Sequence, residues 1–218
     1  IKDQKIKNYF MKQIIIILSM LFAGQLVAQT KYETGMQKGL EQFAAAKSAD
    51  DMAAASAFFE RIADAEKDKW LPYYYAAYAN HLTGWMNPKA DKDKVAEKSK
   101  DLLGKAEALE RNAETYCMRQ MIAIQQMTVD PMSRWQTYGT EASNALAEAK
   151  KIDATNPRIY LLDGQTLMNT PEAFGGGKAV AKKLFEKAVS LYGNFKPASP
   201  MHPVWGKEEA AKLLAACQ

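Results

Sequence analysis

The sequence predicts an all-α fold, a superhelix of stacked helical hairpins closed by a C-terminal capping helix. Three observations carry this. Beyond residue 30, apolar residues recur with the helical period, and no stretch alternates long enough to make a strand. The 12 glycines and 8 prolines are few for 218 residues and cluster between the apolar runs. One side-chain pattern, a small residue with apolar residues four and seven positions on, returns four times along the chain. With 48% hydrophobic and 25% charged residues, the chain has the composition of an ordered globular protein rather than a disordered one.

The first segment is read as an address rather than as structure. From Met11 the chain runs MKQIIIILSMLFAGQLVAQ: a lysine, an apolar run from Ile14 to Ala23, then a short exit ending in Val27 and Ala28. That order is a secretory signal peptide, with the cut expected after Ala28. The run is too short for a membrane span, which needs about 20 apolar residues. Residues 1–10 read as an upstream extension, and 29–218 as a single helical domain. The expected compartment is the periplasm, with no stable membrane span in the mature chain. The net charge of +4 belongs mostly to the discarded part, because residues 1–28 hold four lysines against one aspartate. No clustered basic face remains, which argues against a nucleic-acid partner.

Nine helices are then expected, at 31–47, 50–66, 70–86, 91–109, 113–128, 133–151, 157–169, 177–192 and 206–217. Breakers separate them, among them Asn87-Pro88, Asp130-Pro131 and Thr155-Asn156-Pro157. Asp130, Asn156 and Thr170 each precede a proline, as suits a helix N-cap with proline in the first turn. The repeated pattern falls at Ala55/Phe59/Ile62, Ser99/Leu103/Ala106, Ala142/Leu146/Ala149 and Ala181/Phe185/Ala188. Small residues let paired helices approach, and the larger residue fills the gap. Neither helix buries its stripe alone, so the pairs stack.

On these residues the chain resembles the tetratricopeptide repeat. Tyr160 and Gly164 stand at the family's aromatic and small positions of a first helix, and Ala181, Phe185 and Ala188 at those of the second. Tyr73 and Ala77, followed by Ser99/Leu103/Ala106, give another match. Tyr116 fits the aromatic position, but Gln120 replaces the small residue, and the first helix lacks a convincing aromatic. The units also exceed the family's 34 residues. An irregular helical bundle is the alternative.

The resemblance implies a scaffold that binds a protein or peptide partner in a concave groove lined by the first helix of each pair. Carried onto this chain, it directs Tyr74, Tyr78 and His81 into the groove, with Arg158, Leu161, Gln165, Met168 and Asn169 from the later helix. Aromatic rings with polar tips suit partner binding. The alternative packs the tyrosines between helices with their hydroxyls at the surface. The proline-bracketed run from Asn194 to Pro203 is read as a rigid crossing, with Trp205 packing on the preceding repeat and Lys207 to Cys217 as the cap.

Other chemistry is sparse. Phe174 to Lys178, FGGGK, opens a helix but fails the phosphate-loop pattern, since Glu172 and Ala179 stand where Gly and Ser or Thr are needed. It reads as a turn that sets helix spacing. His81 and His202 are far apart, no metal-ligand spacing is present, and no cofactor is expected. No local catalytic motif appears, so the chain is read as a non-enzyme, with an envelope enzyme or enzyme accessory subunit as the competing reading. Export would allow a disulfide between Cys117 and Cys217 without requiring one.

Overall fold

A computed structural model describes residues 31–218; the expected signal segment and its cut lie outside the described residues. Among the described residues the chain is helical, without strands. Helix α1 covers 31–45, and α2 to α5 follow at Ala49–Ala65, Trp70–Met86, Lys92–Leu109 and Ala113–Met127. A short α6, Pro131–Arg134, passes through a π-helical turn at Trp135–Gly139 into α7, Thr140–Ile152. Then come α8 (Pro157–Met168), a 3-10 turn at Glu172–Phe174, α9 (Lys178–Asn194) and α10 (Lys207–Ala215). The helix starts follow from their caps. Ser48 with Asp51, and Asn112 with Thr115, close reciprocal capping boxes. Asp130 and Asn156 cap as expected, each with proline in the first turn. Thr170 does not. Its hydroxyl donates back to the Thr166 carbonyl, so it finishes α8 instead of starting a helix.

The hairpins α3/α4, α5/α7 and α8/α9 stack side by side. Every residue of the repeated pattern is buried except the partly exposed Ile62. The close approach is visible at Gly164, where a Cβ would lie 2.6 Å from the Phe185 ring. The first hairpin repeats this contact. A Cβ on Gly39 would lie 2.5 Å from Phe59. Although α1 lacks the aromatic, the close approach at the small position is the same in both hairpins. The inner helices α3, α5 and α8 run parallel, as three cross-links show. Arg158 meets Glu114 near their N-terminal ends, and Gln120 Nε2 donates to Thr166 Oγ1 and Gln125 Nε2 to the His81 carbonyl further along.

Residues 195–206 form a strap that reaches much further than the preceding repeat. It crosses the inner helices at their N-terminal ends. Trp205 Nε1 donates to the Tyr74 hydroxyl (2.9 Å), and the Tyr75 and Tyr192 hydroxyls donate to the carbonyls of Met201 and Trp205 (3.0 Å each). Gly206, at φ +100°, turns the strap into α10; a Cβ there would overlap the Tyr192 hydroxyl. Helix α10 packs on α9, as a cap should. Cys117 is buried in α5 and Cys217 lies in the tail, both as free thiols.

Candidate functional site

Each inner helix carries a stripe at spacings of three and four that faces the same side. On α3 it is Tyr74, Tyr78, His81 and Trp85. On α5 it is Cys117, Met121, Ile124 and Thr128, and on α8 it runs from Arg158 through Leu161 or Leu162 and Gln165 to Met168 and Asn169. The strap divides these stripes in two. Their N-terminal halves are covered and their C-terminal halves are open.

The covered half corrects part of the expected groove. Tyr74 is fully buried, and Tyr78 lies under the Trp205 ring at 5.5 Å. Leu161 is buried in the cluster with Phe185 and Tyr192. Arg158 is fully buried, its guanidinium between the rings of Phe195 and Trp205, at 4.8 and 5.0 Å, and paired with Glu114 at 2.9 Å. It also donates to the Pro203 carbonyl. These four side chains hold the strap and face no open groove. Burial pushes the Tyr74 hydroxyl well above its ordinary pKa and Tyr78 up to about 12, so both stay neutral. Burial also raises the Glu114 carboxyl, with the Arg158 guanidinium acting in the opposite direction.

The open half forms a cavity of about 720 Å³, within the range of small-molecule sites. Helix α3 supplies His81, Leu82 and Trp85; α5 supplies Met121, Ile124 and Met127; α8 supplies Leu162, Gln165 and Met168, with Asn169 at its end. Glu209 and Leu213 of α10 make a further wall, and Gln120, Thr128, Pro131, Thr166 and Thr170 complete the lining. The lining mixes these apolar side chains with polar ones, of which His81 and Gln120 are buried. Of the expected site residues, the fold brings His81, Gln165, Met168 and Asn169 together here. Trp85 and the α5 residues lie outside the expected set. Trp85 continues the spacing of Tyr74, Tyr78 and His81 by one further step, which is the signal that could have found it.

His81 is 2% exposed and its Nε2 accepts from Trp85 Nε1 at 3.0 Å. Burial pushes its pKa down to about 4, so the ring is neutral with its proton on Nδ1. That pairing fixes the Trp85 ring, 45% exposed, as one face of the cavity. Among the described residues no three His, Cys, Asp or Glu side chains gather into a metal-binding group. The glycine turn is self-satisfied. The N–H groups of Gly175, Gly176 and Gly177 donate to the carbonyls of Glu172, Pro171 and Leu167, leaving none to cradle a phosphate.

A solved structure, described as the HusA haemophore from Porphyromonas gingivalis, matches with a TM-score of 0.78 and 36% sequence identity, covering 86% of this chain and 92% of that one. The chain belongs to the HusA haemophore family. No protein-family profile matches it, and no curated protein does so. Membership in the HusA family supports a binding role on an all-helical scaffold. Among the described residues, no helix is long and apolar enough to cross a membrane.

Proposed function

We propose that this chain binds a haem-type tetrapyrrole in the cavity between α3, α5, α8 and α10. The observation that carries the reading is the 36% identity to a protein named as a haemophore, over nearly the whole of both chains. The cavity has the properties such a ligand needs. A flat aromatic macrocycle suits a site walled by Trp85, Ile124, Leu162 and Leu213 and by the adaptable thioethers of Met121, Met127 and Met168. The His81 Nε2 lone pair is engaged by Trp85, so apolar contact rather than this imidazole supplies the binding.

The same features argue for a compact ligand in place of the peptide that the tetratricopeptide resemblance implies. An extended peptide needs an open channel along the inner helices, and the strap covers half their length. The scaffold is read as tetratricopeptide-like on the Tyr160/Gly164 and Ala181/Phe185/Ala188 positions. Export to the periplasm is part of the reading, on the signal-type segment from Met11 to Ala28.

The test is a titration of the purified protein with iron(III) protoporphyrin IX, followed by its absorption band. Ile124→Glu and Leu213→Glu place a carboxylate in the apolar wall, where an unpaired charge is costly. Each is expected to weaken binding at least tenfold, while Val180→Glu on the outer face of α9 binds as wild type. Wild-type protein that leaves the spectrum unchanged would refute the function. Equal binding by all three variants would refute the cavity.

A further inference from the structure

The edge of the cavity formed by Trp85 and Thr128 carries a cation that the apolar reading does not use. Lys92, the first residue of α4, crosses to α5 and donates from Nζ to Thr128 Oγ1 at 3.2 Å. The same ammonium sits 4.4 Å from the centroid of the Trp85 ring. Both partners line the cavity. Thr128 is itself held, since its hydroxyl donates to the Gln125 carbonyl at 2.8 Å. The lysine is therefore fixed at the rim by two oriented groups rather than sweeping through solvent.

Its acidic neighbours are committed elsewhere. Asp93 takes both Arg134 Nη atoms, at 2.6 and 2.9 Å. Asp91 caps α4 through the Lys94 N–H and lies 3.5 Å from the Lys94 ammonium. Among the described residues, Lys92 has no carboxylate within ion-pair distance. The carboxylate that does line the cavity, Glu209, belongs to the α10 wall. The site thus has a basic edge at α3/α5 and an acidic residue on α10, a polarity that an anionic substituent would read.

We propose that Lys92 receives a carboxylate of the bound ligand at the Trp85–Thr128 edge and so selects tetrapyrroles that carry free acid groups. This rests on the tetrapyrrole reading. Iron(III) protoporphyrin IX carries two propionates on one edge of the ring. With that edge toward Lys92, the apolar remainder lies against the methionines and Ile124, and the acids avoid Glu209. Lys92 acts on the ligand directly, through a charge-assisted hydrogen bond at a partly desolvated rim. Trp85 keeps the ammonium in place by lying under it.

The experiment compares iron(III) protoporphyrin IX with its dimethyl ester on wild type, Lys92→Met and Lys92→Arg, with far-UV circular dichroism as the fold control. Wild type is expected to bind the diacid about tenfold tighter than Lys92→Met does. The ester should bind the two proteins equally, Lys92→Arg should restore the diacid preference, and the wild-type preference should shrink as salt rises. Diacid binding unchanged in Lys92→Met overturns the proposal. So does an equal loss for diacid and ester, which would mean that the lysine acts by packing. If wild type binds neither form, the tetrapyrrole reading itself falls; binding of both forms without discrimination removes only the role of Lys92.

Discussion

Replacing Glu114 by Gln tests the element that holds the strap. Arg158 is completely buried, and a guanidinium does not shed its proton to escape burial. Glu114 is its counter-charge, at 2.9 Å, and Asn156 donates to the same carboxylate oxygen at 2.6 Å. Glutamine keeps the shape and an acceptor oxygen, so the change isolates the charge. Breaking a buried pair from one side costs about 3–5 kcal/mol, because the remaining ion is stranded. With a urea dependence of about 2 kcal/mol per molar, the midpoint should fall by roughly 1.5–2.5 M. The assay is urea unfolding followed by far-UV circular dichroism. Arg158→Met, made alone and with Glu114→Gln, completes the cycle. The double variant should be more stable than the sum of the single losses by about 2 kcal/mol, since it strands no charge. A Glu114→Gln protein within about 1 kcal/mol of wild type, or strict additivity in the cycle, would refute the view that Arg158 depends on this carboxylate.

Three further outcomes are expected. His81 titrates near 4 when folded and near 6.5 when unfolded; its contribution is complete above pH 6.5 and lost as the pH falls toward 4, about 3 kcal/mol in all. A His81→Gln variant should accordingly show a shallower loss of stability over that window, measured by urea unfolding at stepped pH. Gly164→Ala and Gly39→Ala force a Cβ into buried Phe185 and Phe59 and should each cost about 1–3 kcal/mol, whereas Gly104→Ala, exposed in α4 with nothing within 4 Å, should gain about 0.5–1 kcal/mol; thermal melts will show whether the sign reverses. Burial holds the Cys117 thiol well above its ordinary pKa, so a thiol reagent should label Cys217 alone in native protein and both cysteines in denaturant.

Much of the scaffold was legible because local chemistry agrees with the fold. Helix limits at Trp70–Met86 and Ala113–Met127 follow from apolar period and from caps such as Asn112, signals that need only a few neighbouring residues. The repeat positions were equally visible, since burial of Ala181, Phe185 and Ala188 obeys spacing alone. The π-helical turn at Trp135–Gly139 was not, because nothing in WQTYG distinguishes it from an ordinary helical turn. The site was legible only in half. The stripe on α3 follows from spacing, but Trp205 of the strap that buries Tyr74 lies 131 positions away, and no local pattern announces where a proline-rich segment will land. Arg158 illustrates the same limit: an arginine on a groove-facing stripe reads as a binding residue until its partners Glu114, Pro203 and Trp205 are known.

The strap also alters how this molecule should come apart. Stacked hairpins that touch only their neighbours can melt one at a time from either end, with stability close to a sum over units. Here the strap is tied to α3, α8 and α9 at once, through Tyr74, Tyr75, Arg158 and Tyr192, and Trp205 packs on the apolar cluster that includes Ala113 and Cys117 of α5. Opening any one of those hairpins exposes the underside of the same twelve-residue ribbon. The chain therefore behaves less like a row of separable modules than like a stack laced together by residues 195–206, and releasing that strap would be felt three hairpins away.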